Sequence, residues 1–179
     1  MGKPEPSKNA LDDLPVVNPL EDFDKIPPRD HQSWATPVYQ QFWEIQDDVR
    51  NRVDSALLFF RLGDFYELFG KDAVVAAPLM EVQLTSRDKK SGSNIPMCGV
   101  PAHAWESYAQ KILSRGHKVA LAEQITEPGD PKHKMVQRAL KRIITPGLPC
   151  SYQHLDAKQG HWIVCVSKRS TKELSLIHI

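Results

Sequence analysis

The sequence has few cysteines, no long apolar run and almost no net charge. Cys98, Cys150 and Cys165 stand far apart with no CxxC pair among them, which argues against a zinc site and for reduced thiols in a cytosolic compartment. No stretch approaches the roughly 18 apolar residues of a membrane-spanning helix, so a chain without a membrane anchor and a cytoplasmic location are expected. The N-terminus has neither the continuous apolar run of a secretory signal nor the Arg-rich, acid-poor composition of a transit peptide. The 23 Lys and Arg are balanced by 22 Asp and Glu, for a net charge of +1. Affinity for a polyanion would therefore have to come from a local patch. Glycine-rich phosphate loops of the GxGxxG type, or of the GxxxxGK type followed by Ser or Thr, are missing, and the seven histidines are scattered without an acid at ligand spacing. No cofactor and no metal are expected to bind this chain.

What is present is ordinary for a globular protein: 179 residues, 41% hydrophobic and 25% charged, enough for one full domain and the start of another. Residues 1 to 33 are acidic and proline-rich without apolar periodicity and read as a disordered or extended leader. Thr36 as N-cap and Pro37 at the first helical position open a helix with Val38, Phe42, Ile45 and Val49 three or four apart. The run SALLFFRLGDFYELF is too densely apolar for a surface helix and is interrupted at Gly63-Asp64, giving two short strands hinged at the glycine. KDAVVAAPLMEV reads as a short helix broken around Pro78, and VQLTSRDKKSGSNIPMCGVP as a strand, a polar loop and a second strand. HAWESYAQKILSRGHKVALAEQI gives a helix with Trp105, Tyr108, Ile112 and Leu113 on one side, a stop at Gly116 and a buried strand from Val119. Residues 132–147 carry five Lys or Arg and no acid before a short apolar strand. Residues 148–160 read as a linker, and HWIVCV (161–166) as the opening strand of a second domain that the remaining residues are too few to complete.

The chemistry-bearing residues admit plain and sharp readings. In Gly63-Asp64-Phe65-Tyr66-Glu67, successive strand residues point to opposite faces, so Phe65 and Glu67 share one face and Tyr66 takes the other. An aromatic and an acid so placed can act on one target. For an arbitrary strand the plainer reading is a core Phe65 and a solvated Glu67. Cys98 and His103, five residues apart, are the one combination that suggests a small enzyme, against the simpler reading of a buried, inert thiol. The basic runs Arg87 to Lys90 and Lys132 to Arg142 would suit DNA phosphates, or ordinary solvated faces.

The segments TPVYQQFWEIQ, LLFFRLGDFYELF, DAVVAAPLMEVQLTSR, IPMCGVPAHAWESYAQKILSRGHKVALAEQI and KRIITPG, in that order and spacing, make residues 36 to 147 resemble the N-terminal mismatch-recognition domain of the MutS family. The resemblance implies an α/β (α+β) fold with a mixed sheet flanked by helices, which enters the DNA minor groove at a mispair. It implies that Phe65 stacks on a mispaired base and Glu67 hydrogen-bonds to it, with Leu62 and Arg87 close to the DNA. Its implied partner is double-stranded DNA with a mismatch or small loop. The full-length family is expected to be dimeric, to work with a MutL-type protein, to bind ATP and Mg2+ in domains outside these residues, and to associate with the nucleoid on DNA. This chain alone is then not an enzyme. The domains expected are a leader over 1–33, the recognition domain over 34–147, a linker over 148–160 and the truncated start of a connector domain over 161–179. Two features depart from the family: the leader is long and acidic, and KELSLIHI does not continue a connector. They keep a second reading open, a stand-alone module that binds DNA structure or a protein and has no ATPase.

Overall fold

Consecutive apolar residues, rather than alternating ones, mark a strand buried on both faces, and Leu57 to Phe60 form such a run at the centre of the structure. The structure, a computed structural model, describes residues 26–86, 95–133 and 135–147 and the backbone of 164–170 and 173–178. Six strands, β1 (Ala56–Leu62), β2 (Phe65–Phe69), β3 (Thr85–Ser86), β4 (Pro96–Pro101), β5 (Lys118–Gln124) and β6 (Arg138–Ile144), form one sheet in the order β3-β4-β2-β1-β5-β6. β1 and β5 run parallel; the other pairs are antiparallel.

One face of the sheet is covered by helix α1 (Pro37–Arg52), whose Phe42, Ile45 and Val49 pack with Leu58, Phe60 and Phe69. The other is covered by α2 (Gly70–Met80) and α3 (Trp105–Leu113), over Leu57, Phe59, Tyr66 and Leu121. The result is a helix–sheet–helix stack with a mixed sheet, the fold class expected from the sequence. α1 starts at Pro37 with Thr36 as its extended N-cap residue, as the spacing predicts, although the Thr36 side chain makes no capping hydrogen bond.

Four local features differ from the sequence reading. Residues 26–33, assigned by composition to the leader, pack against α1: the Trp34 indole donates to the Pro27 carbonyl at 3.0 Å and meets Tyr39 and Trp43 edge-on, each at 5.0 Å. Arg29 adds two bonds to Asp47, at 2.8 and 2.5 Å. An average over prolines and acids conceals the one apolar anchor, Ile26, and gives no sign that Trp34 will hold the segment; the leader's first 25 residues lie outside the described residues.

α2 is not broken at Pro78 but runs on to Met80. In the last turn a proline forgoes a single backbone bond, and the carbonyls that close the helix are met by Lys111 of α3, which donates to Met80 at 3.3 Å, and by Arg115 just after it, which donates to Leu79 at 3.0 Å. Strand β6 begins within the basic segment, at Arg138, and not only at its apolar end. A bulge opposite Leu121 and Ala122 leaves Lys141 without a register partner, so Leu140 and Ile143 pack toward α1 while Ile144 joins the opposite core.

Of the strand expected at 161–166, residues 161–163 lie outside the described residues, and the observed β7 runs on over Val164–Ser170 and pairs with β8 (Glu173–His178) in a separate antiparallel two-stranded sheet. The expected linker at 148–160 lies outside the described residues.

Candidate functional site

The β1–β2 hairpin presents the residues singled out in the sequence. Leu62 pairs with Phe65 across the two-residue turn Gly63-Asp64, and Gly63 takes φ +57°, a left-handed conformation that glycine adopts without strain. Directly opposite residues of an antiparallel pair share a face. Phe65 therefore lies on the face of Leu62, and Glu67 on that of Phe60, its register partner. This is the α1 face, against which Leu62 and Phe60 pack. On β4 the residue opposite Glu67 is Gly99, which offers no side chain. Leu62, Phe65 and Glu67 are all half-buried, so the plain reading of Phe65 as core does not hold.

The aromatic contacts separate Phe65 from its neighbours. Phe59 packs on Tyr66, and Phe60 and Phe69 pack on each other and on Phe42. Among the described residues Phe65 alone of the hairpin's five rings contacts no other ring. A partly exposed phenyl at the first position of a strand, with an acid two residues on and on the same face, can stack on one planar group while the acid bonds to it.

The opposite face of the hairpin is closed. Tyr66 is 1% exposed, and its hydroxyl donates to the Glu123 carboxylate on β5. Burial first, and then Glu123, push the Tyr66 hydroxyl well above the ordinary phenol range, so it stays a proton donor. The Arg61 guanidinium lies 5.2 Å from the Tyr66 ring centroid while its Nε donates to the Gly63 carbonyl at 2.5 Å. Arg138 braces the other side. It donates to the Arg61 carbonyl at 2.6 Å and to Gln41 at 3.2 Å, and it stacks over Phe60 at 5.1 Å.

The remaining sequence candidates separate. Arg87 lies outside the described residues. In the basic run, Arg138 is engaged as above and Arg142 stacks over Trp105 at 5.1 Å, whereas Lys132 and Lys141 are exposed. Cys98 is fully buried, its thiol 3.7 Å from the Ala73 carbonyl and pushed strongly upward in pKa by burial. His103 is exposed in the turn before α3, so the two do not form a nucleophile and base. Among the described residues no three His, Cys, Asp or Glu side chains converge as a metal site, and no helix is long and apolar enough to cross a membrane.

Tyr66, Glu123 and Asp72 were not singled out by the sequence reading. Asp72, in the first turn of α2, reaches β1 and accepts from the Leu58 amide at 3.0 Å and from Gln46 Nε2 at 2.9 Å. β2 pairs with β1 only at Phe60 to Leu62, so the carboxylate caps a backbone N–H that β2 leaves uncovered. Burial is the main cause that pushes this carboxyl up to about 6. The signal for Tyr66 was its place between Phe65 and Glu67; its partner is 57 residues away, a separation at which the sequence carries no pattern.

The chain is 46% identical over 138 residues to the DNA mismatch repair protein MutS of Syntrophobacter fumaroxidans, covering 77% of this chain and 15% of the relative. It is 47% identical over 119 residues to that of Desulfitobacterium hafniense, covering 66% and 13%. It is 40% identical over 153 residues to that of Staphylococcus epidermidis, covering 80% and 17%. The chain thus spans less than a fifth of the length of these curated relatives. The family model for MutS domain I matches residues 36–151, the helix, hairpin and sheet just described, and the chain belongs to that family.

Proposed function

We propose that this domain recognises mispaired bases in double-stranded DNA, as the sensing part of a longer mismatch repair protein. The observation that carries the reading is Phe65, half-exposed and without a ring partner, on one strand face with Glu67. A phenyl wedge that enters the minor groove unstacks one base step, at a few kcal/mol that is less where pairing is already defective. Stacking on the displaced base returns about 1–3 kcal/mol. Preference for mispairs then follows largely from deformability.

Glu67 supplies the second element. A carboxylate inside a groove walled by phosphates is repelled unless a hydrogen bond to a displaced base offsets the repulsion, so DNA that offers no such bond is penalised. Leu62, opposite Phe65, would flank the wedge, and Arg87 would lie close to the DNA. The relatives' role in DNA mismatch repair extends, in this reading, to the longer protein. There it would work as a dimer with a MutL-type partner, in the cytoplasm and on the nucleoid, and would bind ATP and Mg2+ in other domains. This sequence holds no GxxxxGK phosphate loop, and no step proposed here runs through ATP.

The test is a pair of titrations at one low salt concentration, with a duplex carrying a single mismatch and with its fully paired counterpart. The chain should bind the mismatched duplex more tightly, and Phe65→Ala should bind both alike. Equal affinity of the unaltered chain for both duplexes, or a preference untouched by Phe65→Ala, would falsify the assignment.

A further inference from the structure

We propose that Tyr66, through its hydrogen bond to Glu123, is a positioning residue that holds the strand from which Phe65 and Glu67 project. The inference rests on the reading of those two residues as the mismatch contacts. A wedge is effective only if its base does not yield. Phe65 is the first residue of a five-residue strand, immediately after a two-residue turn, a place where strands fray. Forcing a base step open takes a few kcal/mol, and a strand free to rock would relax before the step did.

The structure counters that freedom from the face away from the wedge. Glu123 stands on β5 and Tyr66 on β2, with β1 between them, so the single Tyr66–Glu123 hydrogen bond spans three adjacent strands. Arg61 on β1 completes the link, with its guanidinium against the Tyr66 ring and its Nε on the turn carbonyl of Gly63. Trp105 also packs on the ring, centroid to centroid 6.0 Å, and is itself covered by Arg142. Tyr66 is packed on the α2–α3 side, and its neighbours Phe65 and Glu67 face the α1 side. Loss of its hydroxyl would therefore leave the proposed DNA-contacting surface chemically unchanged.

That separation gives the test. On the 179-residue chain, affinities for the mismatched and paired duplexes are measured for Tyr66→Phe, Glu123→Ala and Glu123→Gln beside Phe65→Ala, with amide hydrogen exchange at Phe65 to Glu67 in the absence of DNA. Tyr66→Phe and Glu123→Ala should lower the mismatch-to-paired preference roughly three- to tenfold and speed exchange of those amides about tenfold, the scale of one net hydrogen bond. Glu123→Gln, whose amide oxygen still accepts the Tyr66 proton, should restore most of both. Should Tyr66→Phe fail to fold, the two Glu123 variants carry the same comparison.

A Phe65→Ala defect beside unaltered preference and exchange in Tyr66→Phe overturns the positioning role and leaves the mismatch reading standing. So does an equal loss of affinity for both duplexes, which marks a general scaffold residue. A chain with no preference to begin with overturns the mismatch reading, and the positioning role with it.

Discussion

Leu62 and Phe65 face each other across the Gly63-Asp64 turn, and only one of them is committed to the interior. Leu62 packs against the α1-side core, whereas Phe65 contacts no other ring among the described residues. Phe65→Ala should therefore lower the unfolding free energy by less than about 1.5 kcal/mol, whereas Phe59→Ala, at a fully buried position, should lose about 3–5 kcal/mol. Denaturant unfolding of the two variants checks this, and equal losses would place Phe65 in the core.

Glu67→Gln removes a charge and keeps the ability to hydrogen-bond. If repulsion from phosphates is part of its role, the variant should bind paired duplex more tightly, so the specificity ratio falls through the paired arm and not the mismatched one. Titration of both duplexes separates the arms. Weaker binding to every duplex would contradict the repulsion argument.

Asp72 sets a pH dependence that is independent of DNA. Its carboxyl is pushed up to about 6 in the folded chain against an ordinary 3.8. Below the ordinary value it is protonated whether the chain is folded or not, and no penalty applies. As pH rises from about 4 through 6, the unfolded chain releases its proton first and stability falls, by about 3 kcal/mol in all. Asp72→Asn, which keeps an acceptor for the Leu58 amide, should abolish this fall and be the more stable form at pH 7. Urea unfolding across pH 4 to 7.5 decides it; parallel curves for the two proteins would contradict the burial of a charge at this position.

The turn makes a backbone prediction. Nothing lies within 4 Å of a Cβ built at Gly63, so a substitution there meets strain rather than a clash. Gly63→Ala should destabilise by about 1–2 kcal/mol at φ +57°, and Gly63→Asn by less, because asparagine tolerates the left-handed region. Thermal melts of both variants measure the order, and an alanine as stable as glycine would contradict the turn conformation.

Much of this fold was legible because it is local. The Thr36-Pro37 start of α1, the glycine between β1 and β2, and the helix–glycine–strand unit ending in β5 are each written in a few adjacent residues. The shared face of Phe65 and Glu67 follows from strand alternation alone. What was not legible depends on distant partners. α2 passes Pro78 because Ala77 and Met80, on either side of it, are held in the core, and residues 26–33 are ordered because Trp34 docks on α1. The Tyr66–Glu123 bond joins strands that only the sheet order makes near neighbours. Composition also misled at β6, where basic residues that looked like a solvated run are partly spent inside the fold, Arg138 on Arg61 and Gln41.

The most direct measurement is a map of crosslinks from a photoreactive benzoyl-phenylalanine placed at position 65, irradiated with duplexes whose single mismatch is moved along the sequence. The adduct should form at or beside the mispaired base and move with it. Adducts spread evenly along the duplex, or equally frequent on fully paired DNA, would contradict Phe65 as the residue that finds the mismatch.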